Sequence, residues 1–353
     1  MSGVWGENIK LTIFGESRGE AVGVVIDGLP PGEFVDMEGC RAEMARRAPG
    51  RDELSSARNE PDAVRVISGL RDQTTTGAPL CALIENVDAR PDAGKHNVAR
   101  PGHADYTAHI KYKGFADRRG GGFFSGRLTA PLVFAGSLAR QILLRRGVDI
   151  GARIVRIGSV VDESPFESLA QVFDALRKTD FPALCPRTGC DMKDEIVAAK
   201  AEGDSVGGVV EAAAIGVPAG LGAPFFDGME SALAGILFSI PAVKGVEFGG
   251  GFALAEKRGS LANDAMRAED GSAIFMSNHS GGILGGITSG APLIVRVAFK
   301  PTPSIAREQQ SIDLETMTNA TIRSEGRNDP CVVPRAVPVV EACLALVILD
   351  MWE

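Results

Sequence analysis

The sequence predicts an α+β protein in one continuous domain, residues 1–353, and three observations carry that reading. Strand-like and helix-like runs follow one another neither in strict β-α-β-α alternation nor in separate blocks, which disfavours a doubly wound nucleotide-binding sheet. No Pro/Ser/Gly-rich linker and no short-period repeat divides the chain. A hydrophobic content of 44% supplies ample material for a core.

In chain order, residues 11–14 and 22–26 read as strands around Gly15-Glu-Ser-Arg-Gly19, a loop expected to present Ser17 and Arg18 rather than bury them. Pro30-Pro31-Gly32 is a turn. Residues 36–47 have helical spacing at Met37, Cys40 and Met44, and Asp36 can cap the start. Arg46, Arg47 and Arg51 gather about Pro49-Gly50 where that helix stops, either complementing its dipole or waiting for an anion. Residues 63–68 and 79–84 read as strands joined through the polar turn Thr74-Thr-Thr-Gly77.

The stretch 100–127 carries Arg100-Pro-Gly-His-Ala-Asp105, Lys111-Tyr-Lys113, Arg118-Arg-Gly-Gly-Gly122, Ser125 and Arg127. Consecutive glycines let backbone N–H groups approach a ligand, and a helix beginning beyond them turns its positive end toward it. His103 adds a side chain that exchanges a proton near neutral pH. On the residues alone this is an anion site or a glycine-rich turn with a solvated basic face. From residue 128, Leu132, Ala135, Leu138, Ala139, Ile142 and Leu143 keep a helical period, with Pro131 in the first turn and Gly147 as the stop. Further helices are expected at 167–177, 192–201 and 227–238, and strands at 154–161, 209–215 and 293–299. Gly281-Gly-Ile-Leu-Gly-Gly286 follows, and a last amphipathic helix at 338–351 carries Cys343, Leu344, Val347 and Ile348 on its core side.

A formal net charge of −8 argues against a nucleic-acid partner, so local basicity within an acidic chain points to a small anionic ligand. Six scattered cysteines, without a CxxC pair or histidines at zinc spacing, read as reduced and mostly buried, with no metal site. The N-terminus lacks a signal-peptide pattern and no apolar run approaches the ~20 residues that cross a bilayer, so a cytoplasmic location without membrane contact is expected.

Laid end to end, these stretches resemble the chorismate synthase family over essentially the whole length. Gly15-Glu-Ser-Arg-Gly19, Arg100-Pro-Gly-His-Ala-Asp-Tyr-Thr107, Gly203-Asp-Ser-Val-Gly-Gly208, Ser239-Ile-Pro-Ala-Val-Lys-Gly245, Ser277-Asn-His-Ser-Gly-Gly282, Lys300-Pro-Thr-Pro-Ser304 and Asp329-Pro-Cys331 through Arg335-Ala-Val-Pro338 occur in the family's order. Ser125-Gly-Arg-Leu-Thr-Ala130 resembles one branch of it.

The resemblance implies a β-α-β sandwich, commonly a homotetramer. It also implies conversion of 5-enolpyruvylshikimate 3-phosphate to chorismate by 1,4-anti elimination of phosphate, with reduced FMN although no net redox change occurs. Some members reduce FMN with their own NADPH. Nothing here adds a reductase domain, so an external flavin reductase is the expected partner. Convergent arginines suit a substrate bearing phosphate and carboxylates.

By the same resemblance, His103 matches the histidine that protonates or stabilises the reduced flavin, and Asp329 the acid near flavin N5 that assists substrate proton removal. Ser17 and Ser125 match serines that relay protons. Arg47, Arg127, Arg327 and Arg335 match positions that grip the substrate or the flavin, with Arg51 nearby. Flavin contacts are expected from Ser125, Ala242, Gly285, Lys300, Thr302, Ser304 and Arg327. On the residues alone, any one arginine also fits a surface ion pair, and Ser304 also fits a turn cap. His96, His109 and His279 read as loop or surface residues.

Three positions depart from the family pattern. Arg18 stands where a histidine thought to protonate the departing phosphate is usual, Asn328 replaces another histidine, and Phe123 replaces a polar ring. An arginine binds phosphate by charge but donates no proton usefully at neutral pH. The competing reading is a paralogue that binds FMN or a phosphorylated ligand without turnover. Retention of His103, Asp329, Ser17 and Ser125 weighs against it.

Overall fold

The computed structural model describes residues 3–50, 54–56, 58–88, 97–324 and 328–353. Its first part forms β1 (Val4–Trp5), β2 (Lys10–Gly15), β3 (Ala21–Asp27), α1 (Met37–Arg47), β4 (Val64–Ser68), the short pair β5 (Leu70–Arg71) and β6 (Thr74–Thr75), and β7 (Leu80–Glu85). Five of these strands make an antiparallel sheet in the order β1-β2-β3-β7-β4. Then come α2 (Asp105–Lys111), α3 (Thr129–Arg145), β8 (Asp149–Ile157), β9 (Val160–Val161), α4 (Leu169–Arg177), α5 (Pro186–Ala201), β10 (Gly208–Ile215), α6 (Met229–Ser239) and β11 (Val243–Phe248). A short helix α7 (Gly259–Ala262) and the hairpins β12 (Met266–Glu269) with β13 (Ser272–Phe275) and β14 (Ile283–Leu284) with β15 (Ile287–Thr288) lead to β16 (Leu293–Phe299). The hairpin β17 (Gln309–Ile312) with β18 (Asn319–Ile322) and helix α8 (Val333–Trp352) follow. The second antiparallel sheet runs β11-β16-β10-β8-β9.

Helices α3 and α8 form the layer between the sheets. α3 packs on β3 and β7, α8 packs on β8 and β10, and the two helices pack on each other. Every residue of α8 from position 336 to position 350 is buried, the signature of a helix covered on all sides. The expected amphipathic character is thus corrected: its second face meets protein rather than water. A Cβ on Gly136 of α3 would overlap Cα and Cβ of Ala342, so that glycine sets the distance between the helices. The α+β sandwich implied by the resemblance is the architecture found. One apolar cluster runs through it, from Ile9 and Val24 to Val210, Val297 and Leu346.

Two carboxylates tie α8 to its surroundings. Glu341 accepts from the Ala152 N–H at 2.9 Å and pairs with Arg46 of α1 and Arg140 of α3. Asp350 accepts the N–H groups of Asn8 and Ile9 at 2.7 Å and of Glu7 at 3.2 Å, closing the β1–β2 turn.

Most expected elements recur, with shifted ends. Asp36 caps α1 by accepting from the Glu38 N–H at 3.0 Å. α8 begins at Val333, not at Pro338, because Pro334 fills the first turn and the missing Pro338 N–H frees only one carbonyl in a helix stabilised by burial. α5 begins at Pro186, well before 192, since its polar first turns carry no apolar period. The expected strand 154–161 is two strands parted at Gly158, where φ is +53°. The hairpins β12–β13 and β17–β18 and the helix α2 were not expected, their elements being only four to seven residues long. All six cysteines are free thiols, but only Cys40, Cys331 and Cys343 are buried, and Cys190 is exposed, so "mostly buried" is corrected to half.

Candidate functional site

The site is assembled where the Gly15–Gly19 turn between β2 and β3 meets the Gly120–Gly122 turn that precedes α3. All three of the latter glycines hold positive φ (60°, 96° and 52°), a conformation that side chains resist. The absence of side chains also makes room. A Cβ on Gly120 would lie 2.9 Å from Arg18 Cγ and 3.3 Å from Ser17 Oγ, and one on Gly121 would lie 3.2 Å from His103 Nε2 and 3.6 Å from Ser125 Cβ. The glycine turn therefore separates Ser17 and Arg18 on one side from His103 and Ser125 on the other.

Ser17 is only 1% exposed, which corrects the expectation that its loop would present it. Its N–H donates to the Gly122 carbonyl at 3.1 Å, while Arg58 donates to its Oγ at 3.3 Å and to its carbonyl at 3.2 Å. Arg58 is held in turn by buried Glu60, at 2.6 Å from Nη2 to Oε1.

Behind these groups, Asp62 joins two of the expected substrate arginines. Its Oδ2 accepts from Arg47 Nη1 at 2.6 Å and its Oδ1 from Arg127 Nη1. Arg47 also donates to Thr129 Oγ1 at 3.1 Å and to the Gly126 carbonyl at 2.9 Å. Arg127 donates to Asn86 Oδ1 at 2.8 Å and to the Glu85 carbonyl at 3.1 Å. The arginines are 2% and 4% exposed, so neither belongs to a solvated basic face. Burial pushes the Arg47 guanidinium down to about 10, with Asp62 opposing and Arg335 and Arg127 adding to the fall; it stays protonated at neutral pH. Burial would raise the Asp62 carboxyl, but Arg47 and Arg127 outweigh it and hold it below the usual range. Asp62 sits at φ +49°, a strained conformation for a side-chain-bearing residue, of the kind that clusters at functional sites.

Arg335, at the start of α8, donates to the Arg47 carbonyl at 2.9 Å and pairs with Asp329 through Oδ2. The other Asp329 oxygen accepts from the Ser56 N–H at 2.8 Å. On the far side of the glycine turn, Arg100 donates from Nε to Asp105 Oδ2 and from Nη2 to Asp105 Oδ1, both at 2.8 Å. His103 Nδ1 lies 2.7 Å from that Oδ1. Arg100 Nη1 also reaches Ser304 Oγ at 3.4 Å. Burial would raise the Asp105 carboxyl, yet the hydrogen bonds from Arg100 and His103 prevail and hold it far below the usual range.

Two of the expected flavin contacts, Lys300 and Ser304, touch this arm at Gly102 and Arg100. Lys300 follows β16; its Nζ donates to the Gly102 carbonyl and its N–H to the Ala242 carbonyl, the latter at 2.9 Å. Burial, then Lys244, lowers its pKa. Ala242 is held at φ +77°. Thr302 Oγ1 is buried without a hydrogen-bond partner among the described residues. An orphaned hydroxyl two residues along the chain from a partly desolvated ammonium, and two from Ser304, fits the polar tail of a phosphorylated cofactor. Gly285 is exposed in the β14–β15 turn and makes none of these contacts. Arg51, Arg327 and His96 lie outside the described residues. Asn328 is exposed and donates to Ser324 Oγ at 3.1 Å, and Phe123 is 40% exposed. Asp264 accepts the His279 N–H within a separate loop, and His109 lies on α2.

Sequence reading missed Ser56, Arg58, Glu60, Asp62 and Asp105. The signal that would have found the carboxylates is charge balance: arginines expected inside an apolar fold require buried acids nearby. Arg58-Asn-Glu-Pro-Asp62 supplies two of them within one short segment.

The sequence model of the chorismate synthase family matches residues 9–352. The chorismate synthase of Thermococcus kodakarensis is 47% identical over 350 residues, covering 98% of this chain and 96% of that protein. That of Pyrococcus abyssi is 48% identical over 358 residues, covering 99% and 98%. A solved structure titled "Crystal Structure of Chorismate Synthase" superposes with a TM-score of 0.78 at 28% identity, covering 98% of this chain and 92% of that one.

Proposed function

The chain belongs to the chorismate synthase family, and from that premise we propose how its own residues carry the reaction. It is a lyase of the shikimate pathway, taking 5-enolpyruvylshikimate 3-phosphate to chorismate by 1,4-anti elimination of phosphate. In that elimination a C–O bond to phosphate and a C–H bond break, and the products are chorismate, phosphate and a proton.

The observation that carries the residue roles is the chain of contacts running from Asp329 through Arg335, Arg47, Asp62 and Arg127 to Ser125. A second chain, facing Gly121 as Ser125 does, runs from His103 through Asp105 and Arg100 to Ser304. Arg47, Arg127 and Arg335, with Arg51 nearby, bind the anionic groups of the substrate. Arg18 holds the departing phosphate by charge. Asp329, oriented by Arg335 and the Ser56 N–H, takes the substrate proton, and Ser17 and Ser125 relay protons. His103, facing Gly121, carries the proton offered to the cofactor. That cofactor is reduced FMN, held by Ser125, Ala242, Gly285, Lys300, Thr302, Ser304 and Arg327; the unpartnered Thr302 hydroxyl supports the fit. The chemistry it supplies when bound is transient electron donation without net redox change.

The protein works as one cytoplasmic domain that receives reduced flavin from an external reductase and assembles as a homotetramer. Exposed Phe225, Phe226 and Phe252 support the assembly, and no described helix is long and apolar enough to cross a membrane.

The deciding experiment is anaerobic turnover of 5-enolpyruvylshikimate 3-phosphate with chemically reduced FMN, following chorismate absorbance and phosphate together. Equal amounts of both products are expected. Binding of FMN and substrate without either product would transfer the protein to the non-catalytic reading kept open by Arg18, Phe123 and Asn328.

A further inference from the structure

We propose that Asp105 is the positioning residue for His103: clamped by Arg100, it fixes the hydrogen on Nδ1 and thereby makes Nε2 the ring atom that gives and takes the proton. The proposal rests on the role given to His103 above, but the argument for the tautomer is independent of it.

The geometry leaves one consistent arrangement of hydrogens. Asp105 is buried and ionised, so both its oxygens only accept. Oδ2 accepts from the Arg100 backbone N–H at 3.0 Å and from Arg100 Nε at 2.8 Å; Oδ1 accepts from Arg100 Nη2 at 2.8 Å. His103 Nδ1 stands 2.7 Å from Oδ1, a distance two bare acceptors do not keep, so Nδ1 carries the hydrogen. Arg100 Nη2, 3.2 Å from the same nitrogen, is already directed at Oδ1. In the neutral ring Nε2 is then the free acceptor, and it faces the Gly121 backbone, where a side chain would obstruct it. Both Asp105 oxygens are engaged by Arg100 and His103, so it acts through the imidazole. Arg100 continues to Ser304, so the same clamp joins the proton carrier to the region expected to hold the cofactor's tail.

Substitution by asparagine has a definite outcome. Two donors converge on Oδ2, one of them a backbone N–H, whereas Oδ1 meets one side-chain donor and the imidazole. The carboxamide oxygen therefore takes the Oδ2 side, its NH2 faces Nδ1, and the ring is driven to the Nε2–H form.

The test is the nitrogen spectrum of the intact protein labelled with 15N-histidine, at a pH where the ring is neutral. The chain has four histidines, and His103→Gln identifies the signals of interest. In the wild type, Nδ1 should show the protonated, pyrrole-type shift and Nε2 the unprotonated one; in Asp105→Asn the two should exchange. Turnover of Asp105→Asn should show kcat lowered roughly 10²-fold with KM nearly unchanged, as expected when a proton carrier is misassigned. An Nε2–H tautomer in the wild type overturns the proposal. So does a fall in turnover of Asp105→Asn without a change of tautomer. Should Asp105→Asn fail to fold, the wild-type spectrum alone decides. A wild type that shows the Nδ1–H form but no turnover would sink the functional reading and leave the tautomer assignment standing.

Discussion

Arg18 stands against Gly120, at the position where the resemblance led us to expect a histidine, and its chemistry predicts a measurable handicap. A guanidinium binds phosphate but cannot protonate it, and a lost general acid is worth about 10²–10⁴-fold in rate. Arg18→His should therefore raise the elimination rate at saturating reduced FMN by about tenfold or more, read from initial rates of phosphate release; an unchanged rate would remove position 18 from the proton path. Asp62 supports a second prediction. It is the shared, fully buried partner of Arg47 and Arg127, and removing one member of a buried ionic group typically costs about 3–5 kcal/mol. Asp62→Ala should lower stability by that order in denaturant titration and raise the substrate KM, since both guanidinium groups lose their orientation. At this scale the sequence displayed the groups proposed to meet ligands, because His103, Asp329 and the serines sit in long recognisable motifs. It hid Asp62, Glu60 and Arg58, whose importance comes from a buried charge balance that neighbouring residues in sequence do not reveal.

Among the elements, α3 and α8 matter most, and their contact is set by one missing side chain. Gly136→Val would drive two methyl groups into Ala342, and overpacking of this kind typically costs about 1–3 kcal/mol. A correspondingly lower midpoint in chemical denaturation is expected, and adding Ala342→Gly should not restore it, because the new side chain also meets the Ala342 Cα and carbonyl; a variant as stable as the parent would show that the helices move apart freely. Elements with a strong apolar period were legible, as in α3, β10 and β16. Short elements formed by tertiary contact were not: α2 and the two four-residue strands of the hairpin β17–β18 are too short to show a period, and the hairpin is placed by bonds such as Ala99 N–H to the Ile312 carbonyl at 3.0 Å. The first turns of α8 were obscured because Pro338 mimics a helix start.

For the whole molecule, buried carboxylates predict how stability follows pH. Burial alone would raise Glu341, but Arg46 and Arg140 pull it below its ordinary value; Asp62 and Asp105 are lowered in the same way. A carboxyl lowered in the folded state contributes stability that is complete above the unfolded value of about 4 and is lost as pH falls through the folded one. Denaturation midpoints should therefore be flat near neutrality and drop steeply below about pH 4, and Glu341→Gln should shallow that drop while lowering the plateau. An equally steep acid limb in Glu341→Gln would assign the sensitivity to other groups. The sandwich itself was legible only through the resemblance, because periodicity identifies strands and helices but not which layer they enter.

The clasp between Asp350 and residues 7 to 9 joins positions up to 343 apart in sequence. Time gives this feature its consequence. A chain emerging residue by residue from the ribosome makes α3, β8 and β10 long before α8 exists, so the inner face of the second sheet stays without its covering helix until α8 is made. Folding of the central layer is a late, collective event, and the growing chain is at its most vulnerable to aggregation and to proteases just before that helix arrives.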